Sequence, residues 1–422
     1  MREFLKKLSP GWIRKIYNIL RKYVIRAQFR ICRIFPIMKK RVVFCNVWGF
    51  GDNTKWIAKA LRRADRSVEI IFVTDRSRAE HVPKGTRIVQ TNTPKAVYYL
   101  ATAHVWVDCN RKEPYIVKRS GQIYIQTWHG SLPLKKIEGD YAGLTPEYME
   151  NARRDSKMTD LCLSNGEFMN DIYRKAFEYE CELMITGSAR MDPLMRPNHR
   201  RVIRTKKQIA AMSAAAGEGS RIFGIPGAET DAAQNTEDEA KQSVYGDYRI
   251  AVYAPTYREN GRQVAFPDLD AVRKSLEKRF GGEFVIAARV HPLERRKIKE
   301  YGSGVVDAGV MGDLYELLEA ADVLITDYSN SLFEFAYAGK PVFLYASDAE
   351  EYEAERGFYF DYGKLPYPHA ATTRGLCEAI EDYSGSDYED DLKRFFENIG
   401  IKEDGKASRR IADVILRKVY RT

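Results

Sequence analysis

Short apolar runs recur along this chain in two blocks, and most are followed by a stretch with helical spacing. In the first block, Arg41–Val47, Val68–Val73, Arg87–Gln90, Val105–Cys109, Ile123–Thr127, Leu161–Ser164 and Leu183–Thr186 read as strands. Helices such as Thr54–Arg63 and Pro94–Ala101 fall between them. The second block repeats the pattern with Arg249–Ala254, Phe284–Val290, Gly304–Val306, Val323–Thr326 and Val342–Tyr345. Helices are expected there at Leu269–Arg279, Leu314–Ala320, Leu332–Ala338, Arg374–Asp382 and Asp390–Asn398, with a last one at Ser408–Tyr420. A helix between strands supplies the crossover that parallel pairing requires. The chain is therefore expected to be α/β, with two Rossmann-like domains whose parallel sheets face a central cleft. A length of 422 residues suits two cores better than one. The expected boundaries are an arm at 1–40, a first domain at 41–212, a linker or excursion at 213–246, a second domain at 247–404 and a C-terminal helix at 405–422. The linker is rich in Ala, Gly, Glu and Gln, with one short amphipathic piece around Ile222–Ile225.

Charge separates the arm from the rest. Residues 1–41 hold 13 Lys and Arg against one acid, Glu3, while the remaining chain holds 55 basic and 57 acidic residues. The body is near neutral, which argues against nucleic acid as a partner. In the arm, Leu5, Leu8, Trp12, Ile13, Ile16, Tyr17, Leu20, Tyr23, Val24, Ala27 and Ile31 follow helical steps, with Lys and Arg between them. Pro10 and Gly11 break the first turns from the longer helix. A basic amphipathic helix with Trp and Tyr suits an anionic membrane surface; the alternative is a helix packed on the body. No apolar run reaches the ~20 residues of a membrane span, and no signal peptide is read. The expected location is peripheral, on the cytoplasmic face of the membrane. The six cysteines form no CxxC or Cys/His ligand spacing, so they read as buried free thiols in a reducing compartment.

Three segments carry candidate chemistry. The first is Val323–Glu334, where an apolar strand runs into Asp327, Tyr328, Ser329, Asn330 and Ser331 ahead of a helix. Hydroxyl and amide donors at a helix start suit a phosphate; equally, Ser331-x-x-Glu334 has capping-box spacing. The second is Gln126-Thr127-Trp128-His129-Gly130, followed by Ser131 and then Leu134-Lys135-Lys136. A neutral His at a strand end can take a proton from an alcohol. The third is Arg289-Val290-His291-Pro292, whose two-residue spacing puts Arg289 and His291 on one face as an anion clamp. Ala254–Arg258 and Gly187–Asp192 also follow strands and bring an Arg toward the cleft.

In order, these pieces resemble the CDP-glycerol glycerophosphotransferase family, which primes or polymerises teichoic acids and related capsular polymers. The resemblance runs from about Gln122 to Arg410. It also takes in Asp313–Ser331, Gly339–Tyr345, Gly357–Asp361 and Asp404–Ser408. It implies a GT-B fold with CDP-glycerol bound by the C-terminal half. By motif match, Arg289 and His291 would contact the donor phosphates, with Ser329, Asn330, Ser331 and Glu334 at the helix end. Asp313 and Leu314 would continue the pocket, and Thr256 and Tyr257 would border it. Arg190 would reach it from the first domain. His129 matches the family's other essential His, with Gly130 and Ser131 beside it. The chain departs from the common form in having three residues between Trp-His-Gly and Leu-Lys-Lys, and in Asn330 and Glu334, where Ser and Asp are more usual.

The implied reaction is attack of an acceptor hydroxyl on the phosphorus that bears glycerol, with CMP leaving. His129 is the expected base, and Arg289, His291 and Ser329–Ser331 would stabilise phosphate charge. The expected partners are a CDP-activated polyol, a lipid-linked saccharide or polymer acceptor, and the anionic membrane surface. No carboxylate cluster offers a metal site, so no cofactor is expected. The competing readings are a CDP-ribitol-dependent enzyme, a GT-B glycosyltransferase using a UDP- or CMP-sugar, and a non-catalytic membrane scaffold.

Overall fold

A computed structural model describes residues 11–75, 82–215, 248–258, 266–291, 294–295, 298 and 305–420; the side chains of 11–19, 214 and 215 are not described. Two fully parallel sheets form. The first holds β1 (Met38–Cys45), β2 (Glu69–Thr74), β3 (Thr86–Gln90), β4 (Ala103–Asp108), β5 (Ile123–Gln126), β6 (Leu161–Ser164) and β7 (Glu182–Ile185) in the order β3-β2-β1-β4-β5-β6-β7. The second holds β8 (Tyr248–Ala254), β9 (Glu283–Ala288), β10 (Val305–Asp307), β11 (Val323–Thr326), β12 (Val342–Tyr345) and β13 (His369–Ala370) in the order β10-β9-β8-β11-β12-β13. Both sheets reverse direction beside their first strand, which opens a crevice at the strand C-terminal ends. The α/β class expected from the alternation, with two parallel sheets, is the one found, and it fits the GT-B fold that the resemblance implies.

Parallel strands covered on both faces read as unbroken apolar runs, and this made them legible. Val42, Val43 and Phe44 of β1 are wholly buried. Phe44 sits in register with Phe72 of β2, their rings stacked at 6.2 Å. The two-residue β13 was not anticipated. Its residues carry no apolar run, and it is held by pairing with Leu344 and Tyr345.

Two sequence expectations change. Residues 213–215 finish the helix His199–Ala215 rather than opening a linker. The remainder of that linker, including Ile222–Ile225, lies outside the described residues, as do Leu5, Leu8, Pro10, Pro292 and Gly304. The cysteines are unbridged, but only Cys109 and Cys162 are fully buried; the other four are half-buried.

The chain crosses back at its end. The helix Ala407–Tyr420 packs Ile411, Val414, Ile415 and Val419 into the core beneath β1 and β4 of the first sheet. Burying such side chains is worth about 1.5–3 kcal/mol each, enough to tie the two halves together. The crossover explains why Gly187–Asp192 and Asp404–Ser408 recur as motifs far apart in sequence. Asp192 accepts the backbone N–H of Ala407 at 2.9 Å and of Ser408 at 2.8 Å, capping that helix from the first half. Glu403 accepts the Ser188 N–H at 2.9 Å and the Asn165 amide at 3.1 Å. Burial pushes the Glu403 carboxyl up to about 8. Gly187 has φ +76, and a Cβ there would lie 2.9 Å from the Glu403 carboxylate.

The arm helix Gly11–Cys32 rests on the first sheet through Ile25 and Phe29, the latter edge-on to Trp106 at 6.4 Å. Neither residue lies in the stripe read from sequence. That stripe points outward: Leu20, Tyr23, Val24 and Ile31 are exposed, as are Ile34, Phe35 and Met38 beyond the helix. The helix therefore has two apolar faces, one packed on the body and one open.

Candidate active site

The motif residues meet where the two sheets face each other. A cavity of about 340 Å³ is lined by His129, Lys135, Arg190, Ala254, Pro255, Thr256, Arg289, Leu314, Ser329, Asn330 and Ser331. Eight of the residues singled out from sequence are among these: His129, Arg190, Thr256, Arg289, Leu314, Ser329, Asn330 and Ser331.

His129 is placed by strain and hydrogen bonding in the turn after β5. Trp128 has φ +51, a left-handed conformation costly for an aromatic residue. It is held because its N–H donates to Gln126 Oε1 at 2.9 Å and its carbonyl accepts from Asn53 Nδ2 at 3.1 Å. The Trp128 ring stands edge-on to Phe177 at 4.7 Å and lies 4.1 Å from the His129 ring. His129 Nδ1 sits 2.7 Å from the Cys109 carbonyl. A carbonyl only accepts, so Nδ1 carries the proton and Nε2 keeps its lone pair. Burial holds this imidazole below its ordinary pKa, outweighing the Cys109 hydrogen bond. The ring is therefore a neutral base near pH 7.

Arg289 follows β9 directly. Its guanidinium donates to the carbonyls of Ala308 at 3.2 Å, Met311 at 2.8 Å and Gly312 at 3.4 Å. Among the described residues no carboxylate is hydrogen-bonded to it. Burial lowers its pKa, with Asp313 and Asp307 opposing at longer range. A half-buried cation held by carbonyls is suited to an anion. His291 stands apart from the cavity lining: its ring is exposed and stacks on Tyr257 at 4.1 Å. The sequence spacing put Arg289 and His291 on one strand face, but β9 ends at Ala288, before either residue. Thr256 lines the cavity while Tyr257 takes the stack, and the Thr256 N–H is fixed by Asp327 at 2.8 Å.

The Ser331-x-x-Glu334 capping box is not formed. The helix begins at Ser331, so Asn330 is its N-cap, and its side chain does not cap the helix. The Glu334 carboxylate turns to the other half, where Oε1 accepts the Ser131 N–H at 3.1 Å and its hydroxyl at 2.9 Å. Oε2 accepts from Arg190 at 3.0 Å and from the Tyr315 hydroxyl. The helix is only seven residues long, and its Leu332 and Phe333 N–H groups bond back to Ser329 and Asn330 carbonyls. The donors this end leaves for a ligand are thus mainly its side chains rather than the Leu332 and Phe333 N–H groups. Ser329 and Ser331 hydroxyls lie 2.8 Å apart.

Several predicted site residues instead join the halves. Arg190 lines the cavity, but its guanidinium is met by Asp52 at 3.1 Å and by Glu334. Asp313 caps the helix Leu314–Ala320 and pairs with Lys55 at 2.6 Å. Gly130 lets the two halves approach closely: a Cβ would stand 3.1 Å from Asn330 Nδ2. Asp52, Asn53 and Lys55 were missed. Their signal was the run Trp48-Gly49-Phe50-Gly51 after the first strand, a glycine-rich turn at the crevice end. Lys135, quoted only as part of Leu-Lys-Lys, lies in the lining.

Comparison with known proteins places this geometry. A family model described as CDP-Glycerol:Poly(glycerophosphate) glycerophosphotransferase matches residues 27–214 and 221–417. The chain is 26% identical over 423 residues to a teichoic acid poly(glycerol phosphate) polymerase of Bacillus spizizenii, covering 95% of this chain and 96% of that one. It is 28% identical to a teichoic acid glycerol-phosphate transferase of Staphylococcus aureus, covering 95% of this chain and 100% of that one. It spans about half, 54%, of the Bacillus subtilis polymerase. Among solved structures, the wall teichoic acid polymerase TagF in a variant form aligns with a TM-score of 0.75 at 25% identity, covering 96% of this chain and 97% of that one. A TagF variant soaked with CDPG aligns with a TM-score of 0.74 at 25% identity, covering 96% of each chain. The chain belongs to the CDP-glycerol:poly(glycerophosphate) glycerophosphotransferase family.

Proposed function

We propose that this chain transfers glycerol phosphate from CDP-glycerol to a hydroxyl of a lipid-linked acceptor in teichoic-acid or capsular polymer synthesis, releasing CMP. The observation that carries the reading is one cavity lined by a half-buried guanidinium held on carbonyls, Arg289, and by a neutral histidine, His129, on opposite halves. In this reading the donor lies against the second sheet, with its diphosphate at Arg289 and the Ser329–Ser331 hydroxyls. The acceptor oxygen attacks the phosphorus that bears glycerol, and its proton passes to His129 Nε2. The bond from that phosphorus to the bridging oxygen breaks, and the electron pair leaves with CMP. Placement and fixed charge supply most of the acceleration in such transfers. The positive charge of the cleft comes from side chains, Arg190, Arg289 and Lys135. We read the chemistry as metal-independent.

A donor panel tests the reading. CMP release from CDP-glycerol should exceed nucleotide release from CDP-ribitol and from UDP-sugars by at least about tenfold, a gap of ~1.4 kcal/mol in barrier, and should persist in EDTA. Faster release of UDP from a UDP-sugar would make the chain a glycosyltransferase. No turnover with any donor would favour the scaffold.

The open face of the arm supports a membrane-surface location. Tyr23 is 66% exposed and Ile34 76%, with Lys22, Arg26, Arg30 and Arg33 exposed alongside. Among the described residues no helix is long and apolar enough to cross a membrane. The contact proposed is therefore interfacial, by shallow insertion and attraction to anionic lipid. Replacing Leu20, Tyr23, Val24 and Ile31 by Ser should lower cosedimentation with phosphatidylglycerol vesicles by about tenfold or more, since each buried side chain is worth ~1.5–3 kcal/mol. Binding unchanged by these substitutions would place the membrane contact elsewhere.

A further inference from the structure

Segments from the two halves pair beside the cavity. The Lys136 N–H donates to the Gly357 carbonyl at 2.9 Å, and the Tyr359 N–H donates to the Leu134 carbonyl at 2.8 Å. Lys135 and Phe358 face each other as an antiparallel bridge. The Tyr359 hydroxyl donates to Asp140 at 2.8 Å, and the Ile137 N–H donates to that hydroxyl at 3.4 Å. Gly357 is required here, because its φ is +63 and a Cβ would lie 2.9 Å from Lys136 Cδ. Side chains alternate along such a segment. Lys136 is accordingly exposed, while Lys135 lines the cavity.

A donor diphosphate brings negative charge between the halves. Among the described residues three cations line the cavity: Arg190, Arg289 and Lys135. The charge of Arg190 is met by Asp52 and Glu334. Arg289 belongs to the second half. Lys135 belongs to the first half, six residues after His129, on the side toward which the phosphoryl group must move. An ammonium has three donors, so it can serve a phosphate oxygen alongside a protein partner.

We infer that Lys135 is a second phosphate-binding cation, acting on the phosphate that bears glycerol, and that the strap between 134–136 and 357–359 holds it there. The phosphate site is then complete only when the two halves are paired. This rests on the CDP-glycerol reading above. Its test compares steady-state CMP release from CDP-glycerol with calorimetric CMP binding in the full chain, for wild type, Lys135→Met, Lys135→Arg, Gly357→Val and Arg289→Ala. Lys135→Met should lower kcat about 100-fold, the size of losing one charge stabiliser in a transition state, with the Kd for CMP within about twofold of wild type. Lys135→Arg should recover about tenfold of that loss, and Gly357→Val should lower kcat about tenfold with CMP binding kept. Arg289→Ala should weaken CMP binding itself by about tenfold. A Lys135→Met enzyme with kcat within about twofold of wild type overturns the inference. So does one that loses CMP affinity as much as rate, and a Gly357→Val enzyme of wild-type rate overturns the role of the strap. Wild-type protein that binds CMP but releases none from CDP-glycerol overturns the donor reading, and the inference with it.

Discussion

His129→Ala is expected to lower CMP release from CDP-glycerol by about 1,000-fold, within the range of a lost general base, while CMP affinity stays within about twofold. The separation follows from the fold. His129 is carried by the turn after β5 of the first sheet, whereas Arg289 and Ser329–Ser331 come from the second. The Cys109 carbonyl fixes the tautomer, and burial keeps the base neutral against that hydrogen bond. The pH dependence has a definite sign. Burial disfavours the imidazolium and sets the folded pKa below the ordinary histidine value. The base stays active as pH falls through the ordinary value near ~6.5, and the acid limb of kcat/KM lies lower. The same shift favours folding above the unfolded-state pKa, a contribution lost as pH falls through the folded one. An acid limb centred above the ordinary value, or a loss of CMP binding equal to the loss of rate, would contradict the assignment.

Glu334→Ala should be the most destabilising single change at the junction of the halves, costing about 3–5 kcal/mol. The Glu334 side chain is fully buried, and that of Arg190 is 8% exposed. Among the described residues, removing the carboxylate leaves the guanidinium with Asp52 as its one carboxylate partner. It also strips the partner from the Ser131 N–H and hydroxyl and from the Tyr315 hydroxyl. The double variant Arg190→Met with Glu334→Leu should recover part of this loss, because an apolar pair of similar size avoids the unpaired charge. Urea unfolding of the single and double variants measures the difference. A Glu334→Ala midpoint equal to wild type would show that the network does not join the halves.

Much of the fold was legible because doubly buried parallel strands are apolar along their whole length. Val323–Thr326 and Val342–Tyr345 were located to the residue for that reason. What the sequence hid was long-range. Glu334 three residues after Ser331 has the spacing of a local cap, but its partners are Ser131 and Arg190, far away in the chain. Arg190 reads as a cleft cation, yet Asp52 and Glu334 meet its charge. The arm showed the same limit. Its visible stripe turned out to be the open face, while Ile25 and Phe29, each followed by an arginine in sequence, form the packed one. Local pattern reports which residues can be buried; which partner meets them is decided by topology.

The central claim is that the donor diphosphate occupies the cavity between the two sheets, with His129 on the acceptor side. A crystal structure of the His129→Ala variant soaked with CDP-glycerol tests it most directly. The account predicts nucleotide density along the second sheet, its phosphates at Arg289 and Ser329–Ser331, and the glycerol-bearing phosphate turned toward residue 129. Nucleotide bound in the depression lined by His199, Lys206 and Lys340, or with its phosphates away from Arg289, would contradict it.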